Sequence, residues 1–185
     1  MFKDSTRLKG TVEIQVVDKY KKPRKVFQDN ALWRMIKSFT GLDLKIPYIT
    51  GFETFKIVRP NLITTKGKEI AADQIGGTTT APVTAIAIGT GTTAPAAGNT
   101  ALETEITTNG GQRGAATVTN VTTTTTNDTE QWVKTFTFTG SFAVTEEGLF
   151  DNNTSGGNML ARNTFSAINV VSGDSLQITH KVQVT

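Results

Sequence analysis

The stretch Ser175-Leu176-Gln177-Ile178-Thr179-His180-Lys181-Val182-Gln183-Val184 decides the fold class. In an extended chain Leu176, Ile178, His180, Val182 and Val184 share one face, while Gln177, Thr179, Lys181 and Gln183 share the other. That two-residue period marks a strand with one buried side. Toward the N-terminus, the patterns at 159–165, 142–145, 131–139, 115–122 and 83–88 are again extended, and turn residues separate them. Several short strands without intervening helices predict a mainly β fold, an antiparallel β-sandwich.

The N-terminal third is more varied. Val12, Ile14 and Val16 alternate with Thr11, Glu13 and Gln15, and Lys25-Val26-Phe27 follows the polar connection Asp18-Lys19-Tyr20-Lys21-Lys22-Pro23, so the two segments predict a hairpin. Leu32, Met35, Ile36 and Phe39 fall at helical spacing behind the capping candidates Asp29 and Asn30, and Gly41 suits the helix end. One short packed helix is therefore expected near the N-terminus, with Trp33 at the rim of its apolar stripe. Residues 42–80, interrupted by Pro47, Gly51 and Pro60 and Gly/Thr-rich toward the end, read as an insertion or contact arm. At 185 residues the length suits one domain over 1–185.

Composition narrows the chemistry. With no Cys there is no disulfide and no thiolate ligand, and the single His cannot by itself anchor a zinc site. No run approaches the roughly 20 apolar residues of a membrane span, and the first residues lack the apolar stretch of a secretory signal, so synthesis and retention in the cytoplasm are expected. The net charge of +3 is unevenly placed: +8 over residues 1–70 and −5 over 71–185. A basic N-terminal part suits docking on an acidic surface, whether nucleic acid, a protein shell or the acidic half of a neighbouring copy. No segment offers the reading helix of a sequence-specific DNA binder.

Gly89-Thr90-Gly91-Thr92-Thr93 follows an apolar strand as a phosphate loop would, yet no helix opens behind it and no Lys precedes a hydroxyl residue. The carboxylates Asp43, Asp73, Glu103, Glu105, Glu146, Glu147, Asp151 and Asp174 include no pair that spacing alone brings together, and adjacent Glu146 and Glu147 belong to opposite faces of a strand. Asp151-Asn152-Asn153 reads as turn chemistry and the Thr122 to Thr126 run as a solvated hairpin tip. His180 reads as a core histidine and Arg162 as the cross-sheet partner of Glu146 or Glu147. The sequence thus nominates no catalytic, cofactor-binding or metal-binding residue, and a non-enzymatic protein is expected.

The order of several short motifs resembles a family of small virion structural proteins of tailed bacteriophages. The matching pieces are Leu8-Lys9-Gly10-Thr11-Val12-Glu13-Ile14, Asp29-Asn30-Ala31-Leu32, Val83-Thr84-Ala85-Ile86-Ala87-Ile88-Gly89-Thr90-Gly91-Thr92-Thr93-Ala94-Pro95 and Thr100-Ala101-Leu102-Glu103-Thr104-Glu105. The C-terminal third adds Val144-Thr145-Glu146-Glu147-Gly148-Leu149-Phe150, Gly156-Gly157-Asn158-Met159-Leu160-Ala161-Arg162 and Gly173-Asp174-Ser175-Leu176. The resemblance implies a virion component without catalytic residues, made in the host cytoplasm, a decoration or accessory subunit of the capsid or tail. Its implied partners are other virion proteins, with homo-oligomer or ring contacts. A second reading is a receptor- or carbohydrate-binding module of the virion, using loop residues and aromatics such as Trp33, Tyr48, Phe52 and Trp132.

Overall fold

The computed structural model describes residues 7–17, 25–27, 52–54, 56–78 and 81–185. Two five-stranded antiparallel sheets form a sandwich, as the alternating patterns predict. Sheet one contains β1 (Leu8–Val17), β4 (Lys56–Pro60), β8 (Thr117–Val121), β9 (Thr129–Thr137) and β12 (Ser175–Val184), in the order β4-β1-β12-β9-β8. Sheet two contains β5 (Leu62–Ile63), β6 (Ala85–Gly89), β7 (Gly114–Ala115), β10 (Phe142–Phe150) and β11 (Met159–Val170), in the order β5-β11-β10-β6-β7. A separate two-stranded sheet pairs β2 (Lys25–Phe27) with β3 (Phe52–Thr54).

The apolar residues that betrayed the strands fill the space between the sheets. Val12, Ile14, Val16, Trp132, Phe136, Leu176, Ile178 and Val182 from sheet one share a core with Ile86, Ile88, Val144, Leu149, Phe165 and Ile168 from sheet two. Strand β12 lies in the middle of sheet one, in register with all ten residues of β1 on one side and with β9 on the other. Val184, at its end, is exposed.

Three local expectations need correction. β1 does not form a hairpin with β2: its two hydrogen-bonding edges are taken by β12 and β4, and β2 pairs with β3. The pattern at 115–122 is two strands, because the chain changes sheets at Ala116, whose N–H bonds Thr84 O at 2.8 Å. Within 42–80, read as an insertion or contact arm, the chain forms α1 (Thr65–Gly76), capped by the Thr64 hydroxyl on Gly67 N at 2.8 Å and closed by Gly77 in the left-handed region at φ 65°. Its amphipathic signal is faint because only Gly67 and Ile70 are buried. The helix predicted around Leu32, Met35, Ile36 and Phe39, together with Trp33, lies outside the described residues. The described part of 42–80 contributes to both layers: β4 edges sheet one, β5 edges sheet two, and α1 packs on β11.

Candidate functional site

The densest collection of buried polar groups lies on the outer face of sheet two, under the loop that joins β6 to β7. Its position follows from an irregularity in β10. Between Val144 and Glu146 the pairing with β11 shifts register, so Val144 and Glu147, three residues apart, both serve the interior, while Glu146 emerges on the opposite face. Opposite faces for Glu146 and Glu147 is what the sequence predicts.

Glu146 is fully buried, and five donors converge on its two oxygens. Oε1 accepts from Gly91 N at 3.0 Å and Thr104 N at 2.8 Å. Oε2 accepts from Glu103 N at 3.1 Å and from Arg162 Nε and Nη2 at 3.0 and 2.8 Å. The pairing expected of Arg162 is therefore made, with Glu146, and the guanidinium is only 2% exposed. Its Nη1 also reaches Asn99 Oδ1 at 3.1 Å, tying a third point of the loop to the sheet.

This geometry explains the phosphate-loop likeness. The Gly-rich turn aims the Gly91 N–H at an anion, as such loops do, but the anion is the chain's own Glu146 carboxylate. The glycines are needed for space rather than for unusual backbone angles. A Cβ on Gly89 would stand 2.4 Å from Glu146 Oε1, and one on Gly91 would stand 2.5 Å from the same oxygen and from Glu103 Cβ. Gly148 sits within β10, in register with Arg162 and Ala87, where a Cβ would lie 3.2 Å from Leu102. Leu102 closes a small second core there with Ala85, Ala87, Phe150 and Met159. Glu103 at the loop surface accepts from Thr93 N and Oγ1, each at 2.8 Å, and these bonds hold its carboxyl below the usual range.

Arg113, to which no sequence pattern drew attention, is a second buried strut. It bonds both Glu105 oxygens through Nε and Nη2 at 2.9 and 2.5 Å, donates from Nη1 to Gly156 O at 2.6 Å, and lies 3.6 Å over the Phe150 ring. The neighbouring turn is closed by Asp151, which accepts from Asn158 N and Nδ2, both at 2.7 Å. Asp151 thus performs the turn role expected of it.

The third cluster lies between the sheets. His180 is fully buried, as its strand position predicts, with Nδ1 3.1 Å from Glu147 Oε2, Nε2 in contact with Asn61 Nδ2, and its ring edge-on to Trp132 at 6.4 Å. Glu147 Oε1 and Asn163 Nδ2, on residues in cross-strand register, have no hydrogen-bond partner among the described residues.

No family model, curated protein or solved structure matches the chain. The remaining carboxylates are dispersed: Asp174 accepts from Val171 N at 3.1 Å in the turn before β12, Asp73 lies on α1, and Asp43 falls outside the described residues. Among the described residues no three His, Asp or Glu are grouped to hold a metal ion, and no helix is long and apolar enough to cross a membrane. Trp132, one of the aromatics considered for ligand contact, is 5% exposed and donates its Nε1 to Val83 O at 2.8 Å. Tyr48 and Trp33 lie outside the described residues. The buried charges therefore act as clamps: Glu146 with Arg162, and Arg113 with Glu105, fasten loops on the outer face of sheet two.

Proposed function

We propose that this chain is a non-enzymatic structural subunit of a tailed-bacteriophage virion, mounted externally as a decoration or accessory subunit of the capsid in preference to the tail. The observation that carries the reading is where the motifs of the resemblance meet. Gly89 and Gly91, Glu103 and Thr104, Glu146 and Arg162 come from four separated stretches and converge on one carboxylate. Motifs spent on fastening a loop to a sheet suit a protein whose task is to present a rigid surface. The sandwich, with no repeat or coiled coil among the described residues, fits a shell-mounted subunit better than a fibre. The receptor- or carbohydrate-binding reading loses support from the burial of Trp132.

Reconstruction of the virion with quantitative mass spectrometry tests the assignment. On the order of hundreds of copies on the outer shell is the expected result, roughly a dozen would move the protein to the tail, and absence from purified particles would overturn the reading.

A further inference from the structure

We propose that the buried polar cluster around His180 is a registry lock, which selects one alignment of the two sheets at some cost in stability. Four side chains from four places in the chain meet there. His180 comes from β12 in sheet one, Glu147 and Asn163 come from β10 and β11 in sheet two, and Asn61 comes from the link between β4 and β5. His180 and Glu147 are fully buried, and Asn163 is 5% exposed.

Such a cluster holds two sheets together poorly. Its surroundings are apolar: Val12 and Trp132 are in register with His180, and Ile88 is in register with Glu147. Glu147 Oε1, Asn163 Nδ2 and Asn61 Oδ1 have no hydrogen-bond partner among the described residues. Burial takes water from each of these atoms and returns nothing. A buried ionisable pair is also commonly no more stable than apolar residues of its size.

What the cluster supplies is direction. Along β12 the inward residues Leu176, Ile178, His180 and Val182 recur at every second position, and apolar contact alone does not distinguish one of these positions from the next. With β12 displaced by one pleat against sheet two, Ile178 or Val182 would stand opposite Glu147. The apolar pattern would be kept, and the carboxylate would be buried without a partner. The contact of His180 Nδ1 with Glu147 Oε2, at 3.1 Å, belongs to the native alignment alone. Asn61 fixes the same alignment from the side: its Nδ2 touches His180 Nε2, its backbone N–H bonds Gly10 O at 3.1 Å, and a Cβ on Gly10 would collide with its side chain. The chain therefore crosses from sheet one to sheet two at a point tied to β1 and β12 together. This role is independent of the virion reading.

The triple variant Glu147→Met, His180→Leu and Asn61→Leu tests it, read in the full chain by urea unfolding and by the amide proton–nitrogen correlation spectrum. The unfolding midpoint is expected at or above that of the parent. The amide signals of core residues such as Val12, Ile88 and Ile178 should split into two or more sets, as alignments one pleat apart become populated. Glu147→Gln keeps a hydrogen-bonding partner for His180 and should retain a single set. A triple variant with a single sharp set of signals would overturn the proposal, as would one that is unfolded or unfolds at lower urea than the parent. A split spectrum in Glu147→Gln would overturn it as well, because the splitting would then follow any change in the core.

Discussion

Arg162 shows at the scale of one residue why a buried charge is kept. Its guanidinium loses its water and gains Glu146 and Asn99, while Glu146 gains three backbone N–H groups besides. Removing one partner strands the other in a site built for a pair. Arg162→Ala is expected to destabilise the fold by about 3–5 kcal/mol, read from urea unfolding. The double variant Arg162→Met with Glu146→Leu should recover none of that loss, because it leaves the N–H groups of Gly91, Glu103 and Thr104 without their acceptor. Asp128 is the contrasting surface case. It accepts from the N–H groups of Thr123, Thr124 and Thr125 and from Gln183, and its carboxyl is held far below the ordinary value, first by the Thr125 N–H. A carboxyl depressed on folding stabilises the fold above its unfolded value of about 3.9 and loses that contribution as pH falls through the folded value. Asp128→Asn should therefore lower the melting temperature at pH 7, and the gap from the parent should narrow below about pH 4.

At the scale of elements, the loop over sheet two and helix α1 are both held by close approach. Gly91→Ala would press a methyl group against Glu146 Oε1 and should cost about 1–3 kcal/mol, with limited proteolysis in the 90–106 loop as a second readout. Thr64 is fully buried at the start of α1, accepting from Gly67 N and donating to Met159 O at 2.6 Å. Thr64→Ala removes the cap and the tie to β11 together, and a loss of about 1–2 kcal/mol is expected in thermal unfolding. The β10 register shift is the element on which the polar site depends. Under strict alternation from Val144, Glu146 rather than Glu147 would enter the core.

For the whole molecule the decisive fact is that β12, last in sequence, is central in sheet one. β1 meets it across most of the chain length, with Leu8 opposite Val184, so sheet one closes through contacts of very long sequence separation. A chain ending at Ser172 should show no cooperative melting transition by circular dichroism, since β1 and β9 would each lose a neighbour and the core would lose Leu176, Ile178 and Val182. The His180–Glu147 contact joins the two sheets directly, so a double-mutant cycle on these residues should return a coupling of about 0.5–3 kcal/mol.

The sequence by itself determined the local facts. Strict alternation over 175–184 marked β12 and placed His180 indoors, adjacency put Glu146 and Glu147 on opposite faces, and the turn residues around Asn127 and Asp128 closed the β8–β9 hairpin. These follow from a side-chain period that neighbouring residues impose on one another. Tertiary structure alone decided which strands are neighbours, that 115–122 divides between two sheets, that α1 exists where its apolar stripe is nearly absent, and that the Gly89 to Thr93 turn encloses Glu146. Arg113 belongs to the same group. Each depends on a partner tens of residues away, and a backbone edge or a carboxylate takes its partner from whatever the fold brings within about 3 Å, which no local period records.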